Sequence, residues 1–220
     1  MKKSFLVVGL GRFGSNVAKT LVGLKCDVLG VDINEEAVES ISKVIGQKCL
    51  VADMSKASTV NELMGKNIAD HAVVAIGNNL QASILTVINL KNIGVKQITV
   101  RADKEEYKEL FKMIGATEVV VPEEDSALSL ANQIQSDTIV DYYPLTKDFA
   151  IVKIVVGANF KPRTLIELNV RNIYDVNIVG ILDGDNFVIP KGTDSLNPNA
   201  VIAVVGTVSK IRKFDNFLNS

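Results

Sequence analysis

Gly9, Gly11 and Gly14 follow the apolar run Phe5-Leu6-Val7-Val8 in the string "LVVGLGRFGSNVAKTL". With that spacing the first glycine permits a tight turn, the second lets backbone come close to a bound group, and the third lets a helix pack on the preceding strand. A helix that starts there presents free N–H groups and a partial positive charge to an anion. Arg12 and Phe13 lie inside the loop, and the Arg12 guanidinium can reach a terminal phosphate. The pattern is completed by an acidic residue about twenty positions on, closing the next strand. Asp32, at the end of "VLGVD", fills that place. A carboxylate there accepts both ribose hydroxyls and repels a 2′-phosphate, and no arginine follows it. These residues can therefore hold a phosphorylated adenosine, ATP/ADP or NAD(H), rather than NADP.

Further polar or glycine residues stand at the ends of the other apolar runs. Asp53 and Met54 follow the third run and are placed to meet an adenine. Ile76, Gly77 and Asn78 end the fourth, Arg101 the fifth, and Glu123 follows the sixth. Ligands bind outside the carboxyl ends of parallel strands, so all of these fall on one edge. Acid–base chemistry is poorly supplied. The one histidine, His71, begins the fourth run, at the end pointing away from that edge. Tyr143 and Lys147 have the spacing of a Tyr-x-x-x-Lys pair, but Pro144 between them spoils the helix that would align them. No Gly-x-Ser-x-Gly elbow, metal-spaced His/Cys set or Walker loop occurs. A binding module that reports nucleotide state is favoured. An NAD-dependent oxidoreductase and a non-binding assembly scaffold are the alternatives.

The elements that must position these residues are strands at 4–8, 27–31, 48–51, 71–76, 97–100 and 118–121. They are short, Val/Ile-rich and little alternating, as strands buried on both faces read. Amphipathic stretches at 13–24, 35–45, 57–64, 81–92 and 104–114 lie between them. Asn34 followed by Glu35-Glu36 is a helix N-cap with an acidic first turn. The expected fold is α/β, a Rossmann-like doubly wound parallel sheet. A helix at 124–135 with an apolar stripe from Ala127 to Ile134 has no following parallel strand, so a neighbouring subunit is its natural cover. After a boundary at 136–148 containing Tyr142-Tyr143-Pro144, the rhythm changes. Strands at 150–156, 177–182, 187–189 and 200–205, an Asp183-Gly184-Asp185 hairpin turn and a helix at 209–218 describe a small α+β domain. The division expected is 1–136, a 137–148 linker, and 149–220.

Composition limits the function classes. The chain has 24 basic and 25 acidic side chains, net charge −1, which argues against a dedicated nucleic-acid binder. Hydrophobic residues make up 47% of the 220, enough for a sizeable core. Cys26 and Cys49 form no CxxC, and read as small apolar residues in a reducing cytosol. Met1-Lys2-Lys3 precedes too short an apolar run for a signal peptide, and no run approaches the ~18 residues of a membrane span.

The strings "LVVGLGRFGSNVAKTL", "VLGVDINEEAVE", "VVAIGNNLQASILTVINLK", "IGATEVVVPEED" and "TLIELNVRNIYDVNIVGI…FVIP" closely resemble RCK proteins of the KtrA/TrkA type, over nearly the whole chain. That family regulates potassium uptake and potassium channels. The resemblance implies a cytoplasmic regulatory subunit, peripheral on the inner membrane face through a potassium-translocating partner. Homodimers assembling into an octameric ring are implied as well. It implies that Gly9, Gly11, Arg12, Gly14, Asp32, Asp53 and Arg101 hold ATP, ADP or NAD(H). Glu123, after Pro122, would help bind a divalent cation, Mg2+ or Ca2+, near the ATP phosphates at a subunit interface. The C-terminal domain resembles those that bind cyclic di-AMP between two subunits, and the matching residues are Arg171, Asn177, Ile178 and Pro190. Arg163 and Asp175 stand where the family often has glycine, and Asn199 where it has aspartate.

Overall fold

A computed structural model describes residues 3–46, 48–64, 69–77, 79–184 and 186–220. The chain divides into two units, residues 1–124 and 125–220. Asn78 and Asp185 lie outside the described residues.

In the first unit, strands β1 (Ser4–Val8), β2 (Asp27–Asp32), β3 (Cys49–Val51), β4 (His71–Val74), β5 (Gln97–Arg101) and β6 (Glu118–Val120) form a parallel sheet. Their order is β3-β2-β1-β4-β5-β6. Helices α1 (Arg12–Gly23), α2 (Glu35–Ile45), α3 (Ala57–Met64), α4 (Leu80–Asn92) and α5 (Lys108–Met113) connect them, with one 3-10 turn (Glu105–Tyr107) ahead of α5. Side chains alternate across β1. Leu6 and Val8 enter one apolar layer with Val60, Leu90, Ile98 and Phe111 from α3, α4, β5 and α5. Val7 enters the other layer, with Ala18, Val38 and Ile41 from α1 and α2. Both faces are buried, so β1 reads as an unbroken apolar run. Each fully buried aliphatic side chain of this kind contributes about 1.5–3 kcal/mol. Asn34 caps α2 as its sequence suggests, its side chain accepting from the N–H of Glu36 and of Ala37.

The strand order reverses between β1 and β4. Crossovers leave β1 on one side and β4 on the other, so a crevice opens above their carboxyl ends. At the opposite end His71 stacks on Phe5 with ring centroids 5.6 Å apart. Its Nε2 lies 2.8 Å from the Thr99 hydroxyl, and burial pushes its pKa below the usual value.

Helix α6 (Pro122–Ile134) begins in the first unit and ends in the second. None of its residues is buried, and Leu128, Leu130 and Ile134 are 49%, 56% and 75% exposed.

The second unit is built on an antiparallel sheet. In chain order it holds β7 (Ile139–Pro144), β8 (Phe149–Val155), β9 (Arg163–Thr164), α7 (Leu165–Leu168), α8 (Val170–Tyr174) and β10 (Val176–Asp183). There follow β11 (Asn186–Val188), β12 (Ser195–Leu196), β13 (Val201–Thr207) and α9 (Val208–Leu218). The main sheet runs β11-β10-β13-β8-β7, and β9 and β12 pair as a separate ribbon. Alternate residues of β8 and β13, among them Val152, Ile154, Ile202 and Val204, are buried with Ile211, Phe214 and Leu218 of α9.

The 137–148 stretch, expected to be a linker, is not one. Residues 139–144 form the edge strand β7, in antiparallel register with β8 through Tyr142↔Val152 and Tyr143↔Ile151. Tyr142 points into the core, while Asp141 pairs with Lys153 of β8 at 2.8 Å. Pro144 misled because proline is costly within a sheet, yet an edge strand's last residue needs no ladder N–H. Just before β7, Thr138 donates its hydroxyl to the buried Asp215 carboxylate of α9 at 2.8 Å. That bond ties the segment to the second core.

Two departures from the family pattern have a backbone meaning. Asp175 and Asn199 sit at φ 57° and 59°, in the left-handed region. Asp and Asn are the non-glycine residues that enter this region most readily.

Candidate functional site

The glycine loop is shaped by three different constraints. Gly9 sits at φ 92° and donates its N–H to the Val31 carbonyl at 2.8 Å. A Cβ there would lie 2.6 Å from the Ala75 carbonyl oxygen, beyond β4. A Cβ on Gly14 would come within 1.8 Å of the Gly9 carbonyl oxygen. Gly9 and Gly14 thus hold the turn and the helix against the sheet. Gly11 differs: nothing lies within 4 Å of its would-be Cβ. It is the N-cap of α1, with no side chain capping the first turn. The N–H groups of that turn have no side-chain cap, the arrangement an oxyanion uses.

Asp32 closes β2 beside this loop. Its Oδ2 accepts the N–H of Leu10 at 2.6 Å and its Oδ1 the N–H of Asn34 at 2.8 Å. The carboxylate is fixed from both sides, and each oxygen retains acceptor capacity for a hydroxyl. After β3, Asp53 accepts from the Ser55 hydroxyl at 2.6 Å and the Ser55 N–H at 3.1 Å. The Ser55 hydrogen bond holds the Asp53 carboxyl below its ordinary pKa. Met54 is buried. The Asn89 side-chain amide of α4 donates to the carbonyls of Met54 at 3.2 Å and Ser55 at 2.9 Å. Thus α4 suspends this wall of the cleft.

These groups enclose a cleft of ≈ 340 Å³ that runs from Gly9 and Asp32 past Met54 to Ile76 and Asn79. It meets a second hollow of ≈ 710 Å³ at Gly11, Ala75 and Gly77. Arg12, Phe13, Asn16, Arg101 and Glu123 line the second hollow. The two halves differ in charge. Asp32 and Asp53 mark the first, Arg12 and Arg101 the second, the polarity that an adenosine carrying phosphates requires. The volumes fall in the range of small-molecule clefts.

Arg101 closes β5 with its side chain only 15% exposed. Its Nη2 donates to Glu123 Oε1 at 2.6 Å and lies 3.4 Å from Asp103 Oδ1. Its Nε is buried without a hydrogen-bond partner. The Arg101 hydrogen bond holds the Glu123 carboxyl below its ordinary pKa. An uncapped helix start, open space at Gly11 and the nearby Arg101 guanidinium fit a ligand pyrophosphate. His71, at the other end of β4, takes no part.

Among the expected residues, Gly9, Gly11, Arg12, Phe13, Asp32, Asp53, Met54, Ile76, Gly77, Arg101 and Glu123 line these two hollows. Gly14 acts from behind, through packing. Sequence reasoning missed Ser55, Asn79, Ala82 and Asn16, which also line them. Asn79 carried a signal, since its side chain caps α4 through the Ala82 N–H at 3.0 Å. The C-terminal set is placed differently. Arg171 is exposed on α8, Asn177 and Ile178 lie in the first half of β10, and Pro190 follows β11. Asn177 is exposed, while Ile178 packs partly into the core.

Comparison with known proteins agrees with this architecture. Residues 5–122 match the TrkA-N domain and residues 149–219 the TrkA-C domain. Ktr system potassium uptake protein C of Bacillus subtilis (strain 168) is 37% identical over 216 residues, covering 98% of this chain and 97% of the relative. Ktr system potassium uptake protein A of the same organism is 31% identical over 217 residues, covering 97% and 96%. The structure of the GsuK channel bound to NAD superposes with a TM-score of 0.69 at 15% identity. It covers all of this chain, which spans 40% of that channel's length, and shows a shared fold. The paired TrkA-N and TrkA-C domains and the near full-length identity place the chain in the TrkA/Ktr family of potassium uptake proteins.

Proposed function

We propose that this protein is a nucleotide-sensing regulatory subunit that gates a membrane potassium-translocating partner. The observation that carries the reading is the alignment, along two adjoining hollows, of Asp32, the uncapped Gly11 helix start and the Arg101 side chain. The ligand is an adenine nucleotide with a pyrophosphate, ATP/ADP or NAD(H), with ribose on Asp32, adenine beside Asp53 and Met54, and phosphates over Gly11 towards Arg12 and Arg101. NAD is the molecule named for the GsuK channel. A divalent cation would sit at Glu123, its remaining ligands coming from nucleotide phosphate and from a neighbouring chain. Residues 1–124 form the nucleotide unit in this reading. Residues 125–220 form a second sensing unit in which Arg171, Asn177, Ile178 and Pro190 take cyclic di-AMP between two copies.

The exposed Leu128, Leu130 and Ile134 of α6 support homo-oligomers, assembled as a ring that nucleotide can reshape. No described helix is long and apolar enough to cross a membrane. Attachment to the cytoplasmic face of the membrane runs through the partner. The protein is not an enzyme in this reading: its one imidazole, His71, stands at the opposite end of β4 from the cleft. Calorimetry of the purified protein with ATP, ADP, NADH and cyclic di-AMP is the first test. Potassium flux through the membrane subunit in liposomes, with ATP against ADP, is the second. Identical flux in both nucleotides sinks the gating reading even where nucleotide binds.

A further inference from the structure

Arg101 stands at the phosphate end of the cleft, yet its charge is already matched inside the chain. The Nη2 donates to Glu123 at 2.6 Å and has Asp103 at 3.4 Å. The side chain is 15% exposed, so this pairing is shielded from water more than a surface ion pair is. Glu123 itself is 62% exposed, so its carboxylate can be taken up from solvent. Arg101 and Glu123 both line two neighbouring hollows: the phosphate half of the cleft, and one of ≈ 360 Å³ shared with Asp103, Lys104 and Tyr107. A ligand phosphate and Glu123 are like charges that would converge on one guanidinium. Without a cation between them, one must give way.

We infer that Glu123 is an internal competitor for Arg101. The guanidinium exchanges the Glu123 carboxylate for a nucleotide phosphate, and a divalent cation that takes up Glu123 drives the exchange. This rests on the nucleotide reading of the cleft, and adds to it a role for Glu123 when no cation is present: it opposes binding. Nη2 is the donor that changes partner. Selectivity follows, because in the presence of cation the ligand with more phosphate charge exploits the released guanidinium best.

The test is calorimetric titration of the full chain with ADP and ATP, in EDTA and in MgCl2. In EDTA, Glu123→Gln is expected to bind both nucleotides about three- to fivefold more tightly than the unmutated protein, the scale of losing a partly exposed ion pair. The same variant should lose most of the tightening that Mg2+ gives the unmutated chain. Glu124→Gln is the control. Glu124 carries the same charge one residue on, but it accepts from the Glu105 N–H at 3.2 Å and is not bonded to Arg101. It should bind as the unmutated protein does. In an Arg101→Gln background the gain from Glu123→Gln should vanish. Unchanged or weaker binding by Glu123→Gln in EDTA overturns the exchange. So does an equal gain from Glu124→Gln, or a gain that survives loss of Arg101, since either marks general repulsion. Should Arg101→Gln not fold, the Glu123 and Glu124 comparison decides alone. If the unmutated protein binds neither nucleotide nor NADH, the nucleotide reading falls and this inference with it. Binding without the Glu123 effect removes only the exchange.

Discussion

The cleft of the first unit and the α8–β10 corner of the second, the two sites proposed above, differ in how they are built. The cleft is made largely of backbone. A turn at Gly9, a bare helix start at Gly11 and a carboxylate pinned by two amide N–H groups set its geometry before any ligand arrives. The C-terminal set consists of side chains, and Arg171 and Asn177 are exposed in the single chain. Sites made of backbone are pre-organised and lose little entropy on binding, whereas exposed side chains must be ordered by the ligand or by a second copy. The first unit should therefore bind as one chain, and the second only as a pair.

The sharpest way to break this comparison is through two glycines of one loop. Gly14→Ala forces a Cβ to within 1.8 Å of the Gly9 carbonyl oxygen, so the loop must move. The expected cost is about 3 kcal/mol, the upper range for overpacking, with nucleotide binding lost. Gly11→Ala meets open space and should leave the melting temperature nearly unchanged while weakening nucleotide binding about tenfold, because its Cβ occupies ligand space. Thermal unfolding with and without ADP measures both. Equal destabilisation by the two substitutions would show that Gly11 is structural.

Asp32→Ala should weaken adenine-nucleotide binding by ~1–3 kcal/mol, the scale of lost charge-assisted hydrogen bonds. Part of that loss comes from freeing the Leu10 and Asn34 amides. Asp32→Asn should recover some of it, by calorimetry. Affinity unchanged in both variants counts against a ribose on this carboxylate.

The second unit gives a smaller effect that separates the sites. Arg171→Ala should weaken cyclic di-AMP binding about fivefold, as expected for an exposed ion pair, and leave ADP affinity untouched. Ile134→Asp on α6 should shift light scattering towards smaller assemblies and weaken cyclic di-AMP binding with it. A monomer that still binds cyclic di-AMP fully would refute a shared site.

The smallest effect is acid sensitivity of the first unit. Burial lowers the folded pKa of His71, so the unfolded chain binds the proton more readily. The resulting stability is full above the unfolded value of about 6.5 and is lost as pH falls towards the folded value. Denaturant melts between pH 7.5 and 5.5 should show a shallow decline that His71→Gln flattens. An equal slope in the variant would assign it to other groups.

What was legible in the sequence follows from how locally each feature is determined. The unbroken apolar run of β1 reports two buried faces, whereas β8, apolar at every position but Lys153, hides in its sequence that only alternate residues are buried. Helix α2 announced itself through its Asn34 cap. The edge strand β7 did not, because its apolar anchors are few, Ile139 and Tyr142, and its proline reads as a breaker. Gly9, Gly14 and Asp32 were legible because each answers a backbone demand within one strand–turn–helix–strand unit. Asn89 was not, since it reaches the Met54 carbonyl from 35 positions away and nothing local marks it as more than a helix residue.

The sequence alone determined the parallel sheet and the glycine loop. Those rest on φ angles, side-chain size and charge, which a residue carries wherever it stands. Only the tertiary structure decided that Arg101 meets Glu123 across 22 positions, that Asn89 holds the Met54–Ser55 wall of the cleft, and that residues 139–144 complete a sheet. Such contacts depend on which strand lies beside which, and that order is set by how the crossovers pack both faces of the sheet at once.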